Sequence, residues 1–83
     1  MKVLYFAWLR DRAGLAEEEV SPPPGVTTVA ELAGWLASRS PGRAEALGDL
    51  GLIRCAVDQD YAMPEDSVSG ASEVAFFPPV TGG

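Results

Sequence analysis

Eighty-three residues make one small domain, with no room for a second core. Twelve acidic residues against six basic ones give a net charge of −6, which excludes general nucleic-acid binding because nothing would neutralise phosphates. With no histidine and a single cysteine, Cys55, the chain also excludes a zinc site, a Cys–His nucleophile, a Ser–His–Asp triad and a disulfide framework.

In chain order, Lys2 to Leu9 predicts a strand from its bulky and aromatic content. Val3, Tyr5 and Ala7 lie on one side of it, and Lys2, Leu4, Phe6 and Trp8 on the other. The same stretch is a poor signal peptide, being short and stopped by Arg10-Asp11-Arg12. Arg10 to Leu15 reads as a turn or loop, and Ala16 to Val20 as a second strand, hairpin-paired and edge-like because of its three glutamates. Three prolines in Ser21 to Gly25 end it. Thr28-Val29-Ala30-Glu31 matches a capping box, after which Val29, Leu32, Ala33, Leu36 and Ala37 recur at helical spacing. Ser40-Pro41-Gly42 stops this helix, and Arg43 to Leu50 adds a short helical turn. Trp35 falls at the edge of the apolar stripe, as a partly exposed core-edge residue or a contact surface. Leu52 to Val57 is a third strand and Asp58-Gln59-Asp60 a turn. Tyr61-Ala62 pairs briefly, Ser67 to Ser72 is a loop, and Glu73 to Phe77 is the last strand.

One helix must then cover one face of the sheet. The first and last strands, the most apolar, are expected at the centre and parallel. The expected fold is α+β: the β-grasp arrangement found in ubiquitin, a mixed sheet of four to five strands with one main helix packed on one face. It would span residues 1–77, with 78–83 as a flexible C-terminal tail ending in Gly-Gly. An apolar content of 47% argues against disorder, no apolar run approaches a membrane span, and a cytoplasmic location is the simplest expectation.

Strand parity assigns Val3, Tyr5, Ala7, Ile53, Cys55, Val57, Val74 and Phe76 to the helix-covered face. The opposite face keeps Leu4, Phe6, Trp8 and Phe77, with Tyr61 at its edge. An uncovered apolar patch of this kind marks a protein interface. At the end of the chain, Pro78-Pro79 stiffen an extended exit, and at about 3.1 Å per residue the six residues 78–83 reach some 19 Å. Gly82 and Gly83 carry no side chains, so the tail fits a narrow channel. The chemistry available there is that of the Gly83 α-carboxylate. It is a poor acyl donor until adenylated, after which a sulfur donor gives a thiocarboxylate and an amine gives an amide.

The run Glu73-Val74-Ala75-Phe76-Phe77-Pro78-Pro79-Val80-Thr81-Gly82-Gly83 resembles the small, sulfur-carrier subunit of molybdopterin synthase. Weaker similarity covers Lys2-Val3-Leu4-Tyr5-Phe6-Ala7 and Ala56-Val57-Asp58-Gln59. The resemblance implies that an activating enzyme consumes ATP to adenylate Gly83, and that a sulfur donor protein supplies the thiocarboxylate. The tail, Pro78, Pro79, Val80, Thr81, Gly82 and Gly83, would insert into the large synthase subunit, where catalysis resides, within a heterotetramer. There it would help convert a cyclic pyranopterin monophosphate to molybdopterin. Phe6, Tyr61 and Phe77 match the family's partner-contacting positions. No cofactor, metal, nucleic acid or membrane is expected for the carrier itself. The sequence departs from the family at Ser69-Gly70-Ala71-Ser72, at Asp58 and at Tyr61, in a turn and at the interface rim. Two other readings stand beside this one: a sulfur carrier for thiamine thiazole synthesis, and a non-catalytic β-grasp interaction module. Cys55 as a sulfur relay is weighed against plain core packing, which its parity with Ile53 and Val57 favours.

Overall fold

The first strand is shorter than its composition suggests. In the computed structural model, which describes residues 1–79, β1 runs Lys2–Tyr5. Ala7 then takes a positive φ of 54° and turns the chain out of the sheet. Trp8–Ala13 winds into a helix, α1, that buries Leu9. It closes on Gly14, whose φ of 85° lets its N–H donate back to the Arg10 carbonyl. The expectation that Ala7 and Trp8 belong to the sheet is therefore wrong. A six-residue helix with one fully buried side chain is too short to print a 3.6-residue period on the sequence.

Strand β2, Glu17–Glu19, pairs antiparallel with β1. It is an edge strand, and Glu17 and Glu19 are exposed. Glu18 is not: it lies opposite Val3 on the covered face. Its carboxylate accepts from the Tyr5 hydroxyl at 2.8 Å and from Arg43 Nε and Nη2 at 2.9 and 2.6 Å. The arginine holds the Glu18 carboxyl below its ordinary range. Burial, with the neighbouring Glu18, pushes the Tyr5 hydroxyl upward.

Helix α2, Val29–Ala37, forms as its capping box requires. Glu31 N–H donates to Thr28 Oγ1 at 3.2 Å, and Thr28 N–H donates to Glu31 Oε1 at 3.1 Å. Ser40-Pro41 does more than stop this helix. Ser40 Oγ accepts from Arg43 N–H at 3.1 Å and Pro41 fills the first position of α3, Pro41–Leu47. The helical turn expected over Arg43 to Leu50 thus starts earlier and ends sooner, followed by a 3₁₀ turn at Leu50–Leu52. Three helices, not one, supply Leu9, Val29, Leu32, Ala33, Leu36, Ala46 and Leu47 to the core. A Cβ on Gly42 would stand 2.5 Å from the Arg12 carbonyl oxygen, so glycine is what lets α3 press against the end of α1.

Strands β3 (Arg54–Val57), β4 (Asp60–Ala62) and β5 (Glu73–Phe77) complete a five-stranded sheet of order β2-β1-β5-β3-β4. β1 and β5 are central and parallel, as expected; the other neighbours are antiparallel. Asp58 and Gln59 form a two-residue hairpin, both at positive φ (48° and 73°). Asp58 Oδ1 accepts from the N–H groups of Ser72 and Glu73 at 2.9 and 3.0 Å, which anchors the entry to β5. Among the described residues, no helix is long and apolar enough to cross a membrane. The architecture is the α+β, ubiquitin-like β-grasp arrangement.

Gly42→Ala is expected to cost about 1–3 kcal/mol, read as a lower urea midpoint, because the Arg12 carbonyl must move. Glu18→Gln should lower stability at neutral pH. Since the folded carboxyl titrates below 4.5, its contribution is present above that value and fades as the pH falls. Denaturation curves at a series of pH values should show the gap between parent and variant closing below pH 4.5.

Candidate functional site

The covered and bare faces of the sheet follow from register. Val3, Tyr5, Cys55, Val74 and Phe76 point at the helices and are buried, as parity requires. Ile53 is buried too, though it precedes β3, while Val57 is only half-buried. On the other face Leu4, Ala75, Ala56 and Tyr61 form one row across β1, β5, β3 and β4. Phe77 and Arg54 pair in the next row, and Phe6 N–H donates to the Phe76 carbonyl at 3.1 Å, which sets Phe6 beside Phe77.

The three expected contact residues therefore share one face. Phe6 and Tyr61 are 49% and 74% exposed, and Phe77 is half-buried. The Tyr61 and Phe77 rings meet at 5.8 Å in a tilted arrangement, a diagonal cross-strand contact over the small Ala56 and Ala75 positions. Leu4 lies on this face, half-buried. Trp8 does not: it sits on α1 against the core, with the Arg12 guanidinium 4.5 Å from its ring centre. Trp35 is half-buried at the core edge with Arg39 stacked over it at 4.8 Å. Leu52 and Met63, both mostly exposed, extend the apolar surface and were not singled out from the sequence. Leu52, expected to open the third strand on the side of Arg54 and Ala56, lies instead in the 3₁₀ turn before β3, and Met63 follows β4 outside any strand.

Strand β5 lies between β1 and β3, so its last residue, Phe77, ends with Phe6 on one side and Arg54 on the other. Pro78 is half-buried and Pro79 exposed. Pro79 joins Arg54, Tyr61, Ala62 and Met63 around a depression of about 500 Å³. Strand parity by itself puts the charged Arg54 on the water-facing side of the third strand, with Leu52 and Ala56, and gives it no further role. The structure sets it across from Phe77, at the root of the tail, donating to the Ile53 carbonyl at 3.1 Å. The expected site residues Val80, Thr81, Gly82 and Gly83 lie outside the described residues.

Cys55 points away from this face. It is buried and borders a mostly apolar pocket of about 260 Å³ beside Val29, Ile53 and Phe76, whose outer wall of Arg54, Ala62 and Met63 it shares with the depression at Pro79, and its thiol is pushed up to about 12 by burial. A thiol so protonated near neutrality is a poor nucleophile and a good packing group. Among the described residues, no group of three histidine, cysteine or acidic side chains is placed to hold a metal ion.

Comparison with known proteins gives a consistent picture. The ThiS family model matches residues 3–83. The molybdopterin synthase sulfur carrier subunit of Escherichia coli K12 is 40% identical over 83 residues, covering 100% of this chain and 99% of the relative. SAMP1 from Haloferax volcanii superposes with a TM-score of 0.76 at 28% identity, covering 100% and 98% of the two chains. A Pyrococcus furiosus protein described as a molybdopterin converting factor, subunit 1, gives a TM-score of 0.69 at 25% identity over 95% of each.

Aromatic side chains exposed on one face contribute little to folding. Tyr61→Ala should shift unfolding free energy by no more than about 1 kcal/mol, whereas Phe76→Ala, on the buried face, should cost about 3–5 kcal/mol. Paired urea denaturation curves check the contrast.

Proposed function

This chain belongs to the ThiS family, and we propose that it is the sulfur-carrying subunit of a molybdopterin synthase. The observation that carries this reading is the continuity between the aromatic face and the tail. Phe6, Phe77 and Tyr61 lie together where β5 ends, and the sequence continues from there as Pro78-Pro79-Val80-Thr81-Gly82-Gly83. The full-length similarity to a molybdopterin synthase sulfur carrier supports the same conclusion.

In this mechanism the β-grasp body is a handle and Gly83 is the reacting residue. A partner grips the bare sheet face, and the proline pair directs the last residues into its active site. An activating enzyme joins the Gly83 carboxylate to ATP, forming the acyl adenylate and releasing pyrophosphate. Hydrosulfide supplied by the sulfur donor attacks the acyl carbon, AMP leaves, and the terminus becomes a thiocarboxylate. The large synthase subunit then receives the tail. Sulfur passes to the cyclic pyranopterin monophosphate, and hydrolysis returns the Gly83 carboxylate for another round. Two carriers in a heterotetramer supply the two sulfurs of the dithiolene. ATP is consumed by the activating enzyme, and the carrier body holds no cofactor of its own. The chemistry belongs in the cytoplasm, where the thiocarboxylate is made and spent.

A second reading, sulfur delivery for thiamine thiazole synthesis, shares every step up to the thiocarboxylate and is kept open by the family model matched. The two differ in which acceptor system consumes the sulfur.

Intact-mass spectrometry after incubation with ATP, activating enzyme and a sulfur source should show one sulfur-for-oxygen exchange, mapped to Gly83. An unchanged mass, with the enzyme active on another carrier, would leave the interaction-module reading. Cys55→Ala should carry and transfer sulfur as the parent does; loss of transfer in that folded variant would reinstate a relay. One residue appended after Gly83 should abolish transfer without disturbing the fold.

A further inference from the structure

The six cationic side chains of this acidic protein are not equally placed. Lys2 pairs with Glu17 at 3.0 Å, Arg10 with Asp11 at 4.0 Å, and Arg43 with Glu18 at 2.6 Å. Arg12 stacks on Trp8 and Arg39 on Trp35. Arg54 alone has neither a carboxylate within 4 Å nor an aromatic ring beneath it among the described residues; its one hydrogen bond goes to the neighbouring Ile53 carbonyl. It is exposed, in register with Phe77, and lines the same depression as Tyr61, Met63 and Pro79. In a chain with twice as many acids as bases, the one cationic side chain without a carboxylate or ring partner among the described residues stands inside the apolar face, beside Phe77.

We infer that Arg54 is a specificity determinant of the docking face, and that the large synthase subunit presents a carboxylate to it within an otherwise apolar contact. This inference rests on the function proposed above. Any surface that covers Phe77 and Tyr61 also removes water from Arg54, one strand away. A guanidinium buried without an acceptor would oppose binding strongly. A carboxylate satisfies it through two parallel N–H···O bonds, which fix direction as well as distance. Because Arg54 flanks the start of the tail, such a clamp also sets the angle at which Pro78 and Pro79 enter the partner. The face thereby selects a partner by charge as well as by apolar fit, and rejects one with a cation at that point.

The test is the affinity of the full-length carrier for the large synthase subunit of the same organism, by calorimetry at several salt concentrations. The variants are Arg54→Met, Arg54→Glu and Arg54→Lys, with thermal unfolding as the folding control. Arg54→Met should weaken binding by about 30-fold or more and flatten the salt dependence, because the partner carboxylate is left buried and unpaired. Arg54→Glu should be weaker still, and Arg54→Lys should recover part of the loss. If a folded Arg54→Met protein binds within about 3-fold of the parent with the same salt dependence, the inference fails while the function stands. If the parent acquires the Gly83 thiocarboxylate but does not bind the large subunit, both this pairing and the molybdopterin synthase assignment are overturned. If Arg54 variants instead abolish self-association seen by sedimentation, the occupant is a second copy and the inference is overturned.

Discussion

The parallel pairing of β1 with β5 at the centre of the sheet is the constraint from which the rest follows. It brings Val3 beside Val74 and Tyr5 beside Phe76, although some seventy residues separate each pair. The chain between them flanks this pair with β2 at one edge and β3 and β4 at the other, and all three helices pack against one side. The other side is left bare. The same pairing keeps β5 off the two edges of the sheet, so Phe77 at its end is flanked by Phe6 and Arg54.

The covered side is assembled from small pieces that depend on one another. None of the three helices exceeds nine residues, and isolated helices of that length are marginal in water. Caps at Thr28 and Ser40 and close contact at Gly42 supply what length does not. Glu18 links the two ends of the layer: its carboxylate joins Tyr5 of β1 to Arg43 of α3 across the edge strand that carries it. A half-buried charge with three hydrogen bonds is a directional tie, and apolar contacts alone would not fix where α3 sits.

The bare side works under the opposite condition. Phe6 and Tyr61 keep their exposure because no element among the described residues covers them, and the proposed function leaves their burial to a partner. The contrast between Cys55 and Gly83 follows from the same division. The one thiol is enclosed on the covered side, where burial keeps it protonated, and the proposed function places the reactive sulfur at the chain terminus instead.

Much of this was legible in the residues themselves. The capping box at Thr28 and Glu31, the alternation in the first and last strands, and the prolines and glycines of the tail are local signals. Each acts over a few residues, so the sequence by itself determined the β-grasp order of strands and the two faces of the paired strands, and the proposed chemistry of the end rests on it. What it could not determine depends on distant groups. The early end of β1 comes from packing Leu9 into the core, at a positive φ on Ala7 that no composition announces. Glu18 turned inward because Arg43, twenty-five residues away, offers it a bidentate partner. Arg54 looked like a solvent marker until pairing with Phe77 placed it inside the aromatic face. Local chemistry fixes what an element is; only tertiary contact decides which charges are satisfied, and therefore which one is left for a partner.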